Sequence, residues 1–333
     1  MQLPGNRVKT MTDELKTYSQ ATQQLGFAVN TNCTDSKEAQ HIKNSVQESY
    51  SSWAHSVYNR AFLNWGLWDK KLYKEYEDLD FNFSTLCPHQ DIHSQLLIYS
   101  LIKPLIDQQF YNKHLLEIGC GNGIGLKMSS ALLKAEFALG IDLVHKLVSN
   151  ATSNFYVENQ VNYLQTDAEI LPLGDSSFDI ITNLESSHLY PRLEHFFSEV
   201  ARVLTPGGFF CYADIYTATK QQPQRLEQFI ASRKDLRIIQ KQNITQKVQA
   251  SIYRRLIVGE EGFYKMAISM FGTEPHILKK ELSSLAHAMG LSFLPWWKIW
   301  LKNPDLRPIA KAARKNLYWG GEKLFFYYLI QKV

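Results

Sequence analysis

The chain has 333 residues, of which 45% are hydrophobic and 13% aromatic, enough apolar material for one large or two small cores. Its 36 basic residues outnumber 32 acidic ones by a net charge of only +4, which gives no support for nucleic acid as a partner. The four cysteines, Cys33, Cys87, Cys120 and Cys211, are scattered without zinc-ligand spacing, so neither a metal site nor a disulfide scaffold is expected, and the default setting is a reduced cytoplasm.

Residues 1–40 are polar, rich in Gln, Thr, Asn and Ser, and predicted to be only partly ordered; residues 1–10 lack the apolar core of a signal peptide. A helix is predicted over 37–60, ahead of the run Asn64-Trp65-Gly66-Leu67-Trp68. A second fits 90–108, where Leu97, Leu101 and Leu105 recur every fourth residue and Pro104 predicts a kink or an early end. Strands then alternate with helical patterns: 113–118, 137–141, 161–165, 178–182 and 208–213 read as strands. Before the last of these, Phe196, Phe197, Val200 and Val203 share one helical face that Thr205-Pro206-Gly207-Gly208 terminates. This alternation predicts a parallel sheet covered on both faces. Beyond Asp214 the pattern gives a helix over 222–232, a strand over 236–240, several helices between 245 and 315, and a last strand over 323–331. The apolar stretches 291–301 and 324–330 are shorter than the about 20 residues that cross a bilayer, so a soluble protein is expected.

The strongest local signal is Leu115-Leu116-Glu117-Ile118-Gly119-Cys120-Gly121-Asn122-Gly123, a strand ending in an acid and followed by alternating glycines. Such a loop lets the backbone turn tightly and approach a ligand. The dinucleotide fingerprint requires a third glycine where this chain has Ile124 or Leu126, which argues against a dehydrogenase. Asp142 and Leu143 close the next strand, where a carboxylate can accept from both ribose hydroxyls. Thr166-Asp167-Ala168 follows the third strand, where an acid can accept from an adenine amino group.

With the Phe178-Asp179-Ile180-Ile181 strand and the Glu199–Gly208 helix end, these segments resemble, in order, the class I S-adenosylmethionine-dependent methyltransferases over residues 115–214. The resemblance implies a Rossmann-like α/β fold with a seven-stranded, mostly parallel sheet. It also implies S-adenosyl-L-methionine as cofactor, with S-adenosyl-L-homocysteine as product. Glu117, Gly119, Cys120, Gly121, Asn122 and Gly123 would hold the methionine end. Asp142 and Leu143 would hold the ribose, and Thr166, Asp167 and Ala168 the adenine. Asn183 and Glu185 follow the fourth strand, and Tyr58 and Trp65 would cover the cofactor. As a nucleophile Cys120 lacks a sequence-adjacent base and reads better as a small packing residue.

Glu185-Ser186-Ser187-His188-Leu189-Tyr190-Pro191-Arg192 lacks the paired prolines of base-amine methyltransferases and looks like the phthiotriolone and phenolphthiotriolone dimycocerosate methyltransferases. It is also similar to natural-product O-methyltransferases and, more distantly, to sterol and tocopherol C-methyltransferases. Asn243-Ile244-Thr245 resembles that group's start of a substrate-side helix. A hydroxyl acceptor must lose its proton as the new bond forms. His188 is the candidate base, with Asp214 as its orienter or as a base itself; a helix-start histidine and a strand-end acid are the plain structural readings. Tyr190 and Arg192 read as the start of the next helix.

Aromatic residues Phe263, Tyr264, Phe271, Phe293, Trp296, Trp297 and Trp300 suggest a helical substrate lid, core packing, or a membrane-surface patch with Lys311, Arg314 and Lys315 following. The expected organisation is a polar N-terminus (1–40), a helical cover (41–110), a cofactor-binding core (111–243), an inserted lid (244–318) and a final core strand (319–333). The expected reaction is O-methylation of a lipophilic small molecule. C- or N-methylation is the enzymatic alternative, and a catalytically inactive cofactor-binding regulator the non-enzymatic one. Oligomeric state is open.

Overall fold

The computed structural model describes residues 33–54, 62–79, 81–86, 91–217, 221–258, 290–302, 304, 307 and 323–333. Strands β1 (His114–Ile118), β2 (Phe137–Asp142), β3 (Val161–Gln165), β4 (Phe178–Leu184), β5 (Leu204–Thr217), β6 (Leu236–Asn243) and β7 (Lys323–Lys332) form one sheet in the order β3-β2-β1-β4-β5-β7-β6. β1 to β5 run parallel, and β7 slots antiparallel between β5 and β6. This is a Rossmann-like α/β fold. Strand order reverses between β1 and β4, which opens a crevice beyond their carboxyl ends.

Strand alternation divides the core between the two faces. Leu115, Ile180, Cys211 and Leu329 pack on one side with Leu97, Leu101 and Leu105 of the helix Ile92–Asp107. Leu116, Ile181, Phe210 and Tyr328 pack on the other with Phe196, Phe197 and Val200 of the helix Leu193–Val203. The apolar positions 196, 197, 200 and 203 thus form the buried stripe that their spacing predicts.

Several boundaries differ from the sequence reading. The helix over Ile92–Asp107 does not end at Pro104 but continues to Asp107, because it needs only one more turn and its buried leucines hold it in place. The helix predicted over 37–60 is described over Ser36–Ala54; residues 55–61 lie outside the described residues. Thr205-Pro206-Gly207-Gly208 ends the helix but falls within β5: Leu204 still pairs with Phe178 and pairing resumes at Phe209 with Ile180. β5 also continues past Asp214 to Thr217, so that carboxylate lies inside the strand. Thr245–Tyr253 is helical and continues as a π turn over Arg254–Val258, with Asn243 Oδ1 accepting from Thr245 N–H at its start. The lid aromatics Phe263, Tyr264 and Phe271 and the cations Lys311, Arg314 and Lys315 lie outside the described residues.

Candidate active site

The crevice over β1, β2 and β4 contains about 1060 Å³ of atom-free space, its open mouth included. Glu117, Gly119, Cys120, Gly121, Asn122, Asp142, Leu143, Thr166, Asp167, Ala168 and Glu185 all line it. They come from four separate stretches of sequence that the parallel sheet brings to one edge.

The glycine loop is built around Asp142. Gly119 and Cys120 donate N–H bonds to the Ile141 carbonyl at 2.8 and 2.9 Å, and Gly121 N–H donates to Asp142 Oδ2 at 2.9 Å. Gly119 has φ +75°, and a Cβ there would lie 2.0 Å from Ser186 Oγ, so only glycine fits between the two loops. Asp142 Oδ1 accepts from Val144 N–H, and each oxygen keeps a lone pair for a further donor. Burial raises the Asp142 pKa against the pull of these backbone N–H groups.

Glu117 is buried, and its Oε2 has no hydrogen-bond partner. Burial, reinforced by Asp142, pushes its carboxyl up to about 8. An acceptor left orphaned in a cavity wall is costly unless a ligand satisfies it. A cationic amino group beside it would do so, which fits the methionine end of S-adenosylmethionine. Cys120 also lines the cleft, but burial raises its thiol well above the usual range, consistent with packing rather than nucleophilic chemistry.

Glu185 sits in the left-handed region at φ +48°, an uncommon conformation for a side chain of its size. Both its oxygens accept from Trp65 N–H at 3.1 Å, and burial pushes its carboxyl up to about 8. Trp65 itself does not line the cleft. Its carbonyl accepts from Ser251 Oγ at 3.0 Å and Arg255 at 2.8 Å, so this residue ties the 62–68 segment to the end of β4 and to the helix Thr245–Tyr253.

Asp214 is fully buried and saturated by donors. Its Oδ1 accepts from His188 Nδ1 at 2.7 Å and Ile215 N–H at 2.7 Å, and its Oδ2 accepts from His188 N–H at 2.9 Å and from Ser187 Oγ. Tyr212 OH meets the same Ser187 hydroxyl at 2.6 Å. With Nδ1–H donated to the carboxylate, the imidazole lone pair is on Nε2. Neither His188 nor Asp214 lines the cleft, whereas Ser186 and Leu189 on either side of His188 do.

Two further expected contacts stand elsewhere. Gly123 is turned away from the cleft: a Cβ there would meet Ala151 Cβ at 2.6 Å and the Tyr163 ring at 2.7 Å, and Tyr163 OH donates to its carbonyl. Asn183 donates to the Ile118 carbonyl at 2.8 Å and to Tyr190 OH at 3.2 Å, bracing β1 against the 185–191 loop from below. Tyr58 lies outside the described residues.

The structure adds residues that the sequence reading missed. Lys43, buried on the helix Ser36–Ala54, reaches Asp167 Oδ2 at 2.6 Å and also Glu169, whose carboxylate accepts from Arg192 Nε at 3.1 Å. Ala39, Lys43, Val46 and Tyr50 lie on one helical face, so a lysine in an otherwise apolar stripe was the available signal. Arg192 stands at the N-cap of the helix Leu193–Val203 as expected and its Nε pairs with Glu169, whereas Tyr190 precedes that helix and its OH meets Ser186 Oγ in the cleft wall at 2.8 Å.

Sheet order and cleft together define a Rossmann-like domain, and residues 116–212 match the family described as "Methyltransferase domain". A fatty-acid O-methyltransferase of Mycolicibacterium smegmatis is 40% identical over 102 residues, 31% of this chain and 37% of its own. A phthiotriol/phenolphthiotriol dimycocerosates methyltransferase of Mycobacterium tuberculosis is 38% identical over 103 residues, 31% of this chain and 38% of its own. This chain therefore spans about two fifths of the length of these relatives. Among solved structures, the cyclase SpnF superposes with TM-score 0.52 at 14% identity, over 91% of this chain and 98% of that one. Geranyl diphosphate C-methyltransferase from Streptomyces coelicolor does so with TM-score 0.50 at 13% identity, over 88% and 98%. These two likenesses concern the fold alone, and a cyclase among them shows that the fold does not dictate the reaction.

Proposed function

We propose that the chain is an S-adenosylmethionine-dependent methyltransferase that methylates a hydroxyl group of a lipophilic small molecule. The observation that carries the reaction type is the buried Asp214–His188 pair: His188 belongs to the loop whose Glu185, Ser186 and Leu189 line the cleft, and Asp214 reaches it from inside β5. When bound, the cofactor supplies a methyl group activated on a sulfonium centre. Glu117 would pair with its amino group, the 119–122 backbone would cradle its carboxylate end, and Asp142 would accept from its ribose hydroxyls. Asp167 and Ala168 would face the adenine, with Lys43 holding the Asp167 carboxylate in place.

His188 then takes the proton of the acceptor hydroxyl at Nε2, while Asp214 fixes the tautomer and stabilises the cation that forms. Residues 41–110 would act as the cover and 244–318 as the substrate lid. A lipophilic acceptor accords with the named relatives, a fatty-acid O-methyltransferase and a phthiotriol/phenolphthiotriol dimycocerosates methyltransferase. A cytoplasmic location accords with the scattered cysteines; among the described residues no helix is long and apolar enough to cross a membrane.

The test is a screen of long-chain alcohols, phenols and sterols with methyl-labelled cofactor, read by product mass. The expected result is an O-methylated product whose formation falls about 10²- to 10⁴-fold in His188→Ala with cofactor affinity retained. Methylation confined to carbon or amine acceptors would overturn the hydroxyl assignment.

A further inference from the structure

The helix Trp296–Lys302 carries its apolar side outward. Its residues advance by roughly 100° each, which places Trp296, Trp300, Trp297 and Leu301 on one continuous arc of about 140°. That arc faces solvent, with exposures of 37%, 40%, 49% and 70%. Lys298 and Lys302 follow at one edge of the arc, and Ile299, on the remaining side, is completely buried. An ordinary surface helix shows the reverse pattern.

The helix is firmly seated. Phe293 and Leu294 just before it are buried, the Phe293 ring lies 5.4 Å from Trp65 and 6.4 Å from Phe325, and Gln249 donates to the Phe293 carbonyl at 3.1 Å. Cations stand at the aromatic surface: Lys298 Nζ is 5.6 Å from the Trp297 ring centre, and the Arg307 guanidinium is 5.5 Å from that of Trp300. Indoles suit the glycerol level of a lipid bilayer, and Lys and Arg stems reach from there to headgroup phosphates. Lysine is depleted in protein–protein interfaces, so charge favours a lipid surface as the occupant.

We propose that this face docks the protein onto an anionic lipid bilayer. The same Phe293 touches Trp65, whose N–H is held by Glu185 in the cleft wall, so the docked face adjoins the site. A bilayer-dissolved acceptor would then have a short path to it; this path rests on the methyltransferase reading, and the docking does not.

The test is co-sedimentation of the full chain with vesicles of phosphatidylcholine, with and without about one-third phosphatidylglycerol. The protein should sediment with the anionic vesicles and be released by salt. Trp297→Ser/Trp300→Ser/Leu301→Ser should lower partition by at least about tenfold. Lys298→Glu/Lys302→Glu should lower it about fivefold per charge. Both variants should keep the wild-type melting temperature and affinity for S-adenosylhomocysteine, which separates lost docking from lost folding. Three results would overturn docking: no sedimentation of the wild type, unchanged partition of the triple variant, or a dimer without lipid affinity that the triple variant dissociates. Because the readout is lipid partition, an inactive enzyme would leave this result unchanged.

Discussion

Two glutamates of the cleft wall set its behaviour with pH. The Glu117 and Glu185 carboxyls are each raised to about 8, chiefly by burial, from a starting value of 4.5. The folded chain therefore holds protons that the unfolded chain releases, so stability from these groups is full below about pH 4.5 and is lost as pH rises toward 8. Glu117→Gln should raise the stability of the ligand-free protein at pH 9 by on the order of 2 kcal/mol and leave it unchanged at pH 4, measured by thermal unfolding. The same substitution should weaken S-adenosylmethionine binding at least about tenfold, because the amide cannot neutralise an amino cation. Asp214→Asn has a different signature. Two donors converge on each carboxylate oxygen, so one pair would face the new amide NH₂, at a cost of about 2–4 kcal/mol. Its melting temperature should drop further than that of His188→Ala, which removes only one of the four donors and whose kinetic loss should fall on kcat rather than on cofactor affinity.

At the scale of elements, the segments over the cleft depend on a few tight contacts. Gly66 has φ +71°, and a Cβ there would lie 2.7 Å from Ser251 Oγ and 2.8 Å from His93 Cβ. Gly66→Ala should cost about 1–3 kcal/mol in chemical unfolding and loosen the strap that Trp65 and Glu185 hold. Lys43→Met removes the cation shared by Asp167 and Glu169 and should cost about 3–5 kcal/mol, with weaker cofactor binding as well.

How far the elements were legible followed from how local their causes are. β3 and the helix Gln222–Ser232 matched residue for residue, since alternation and helical spacing are written in consecutive residues. The glycine loop and Asp142 were legible because backbone approach demands glycine wherever it occurs. The continuation past Pro104 was not, since packing against the sheet outweighs one lost backbone bond. Nor were the Lys43–Asp167–Glu169 cluster and the Glu185–Trp65 bond, each of which joins residues more than a hundred positions apart. Gly123 shows the converse: its place in the motif suggested ligand contact, and Tyr163, on another strand, makes it a packing position.

For the whole molecule, the reversal of strand order between β1 and β4 gathers Glu117, Asp142, Asp167 and Glu185 at one sheet edge, with His188 in the adjoining loop and Asp214 inside β5. Ligand binding at that edge should stabilise the entire fold, by about 2.7 kcal/mol at a hundredfold excess over Kd. Calorimetric titration of the wild type and Asp142→Ala with S-adenosylmethionine, S-adenosylhomocysteine and NAD addresses the central claim most directly. Binding of both adenosyl ligands at about −8 kcal/mol, weakened by the substitution and absent for NAD, is the predicted result. A preference for NAD, or no adenosyl binding at all, would contradict it.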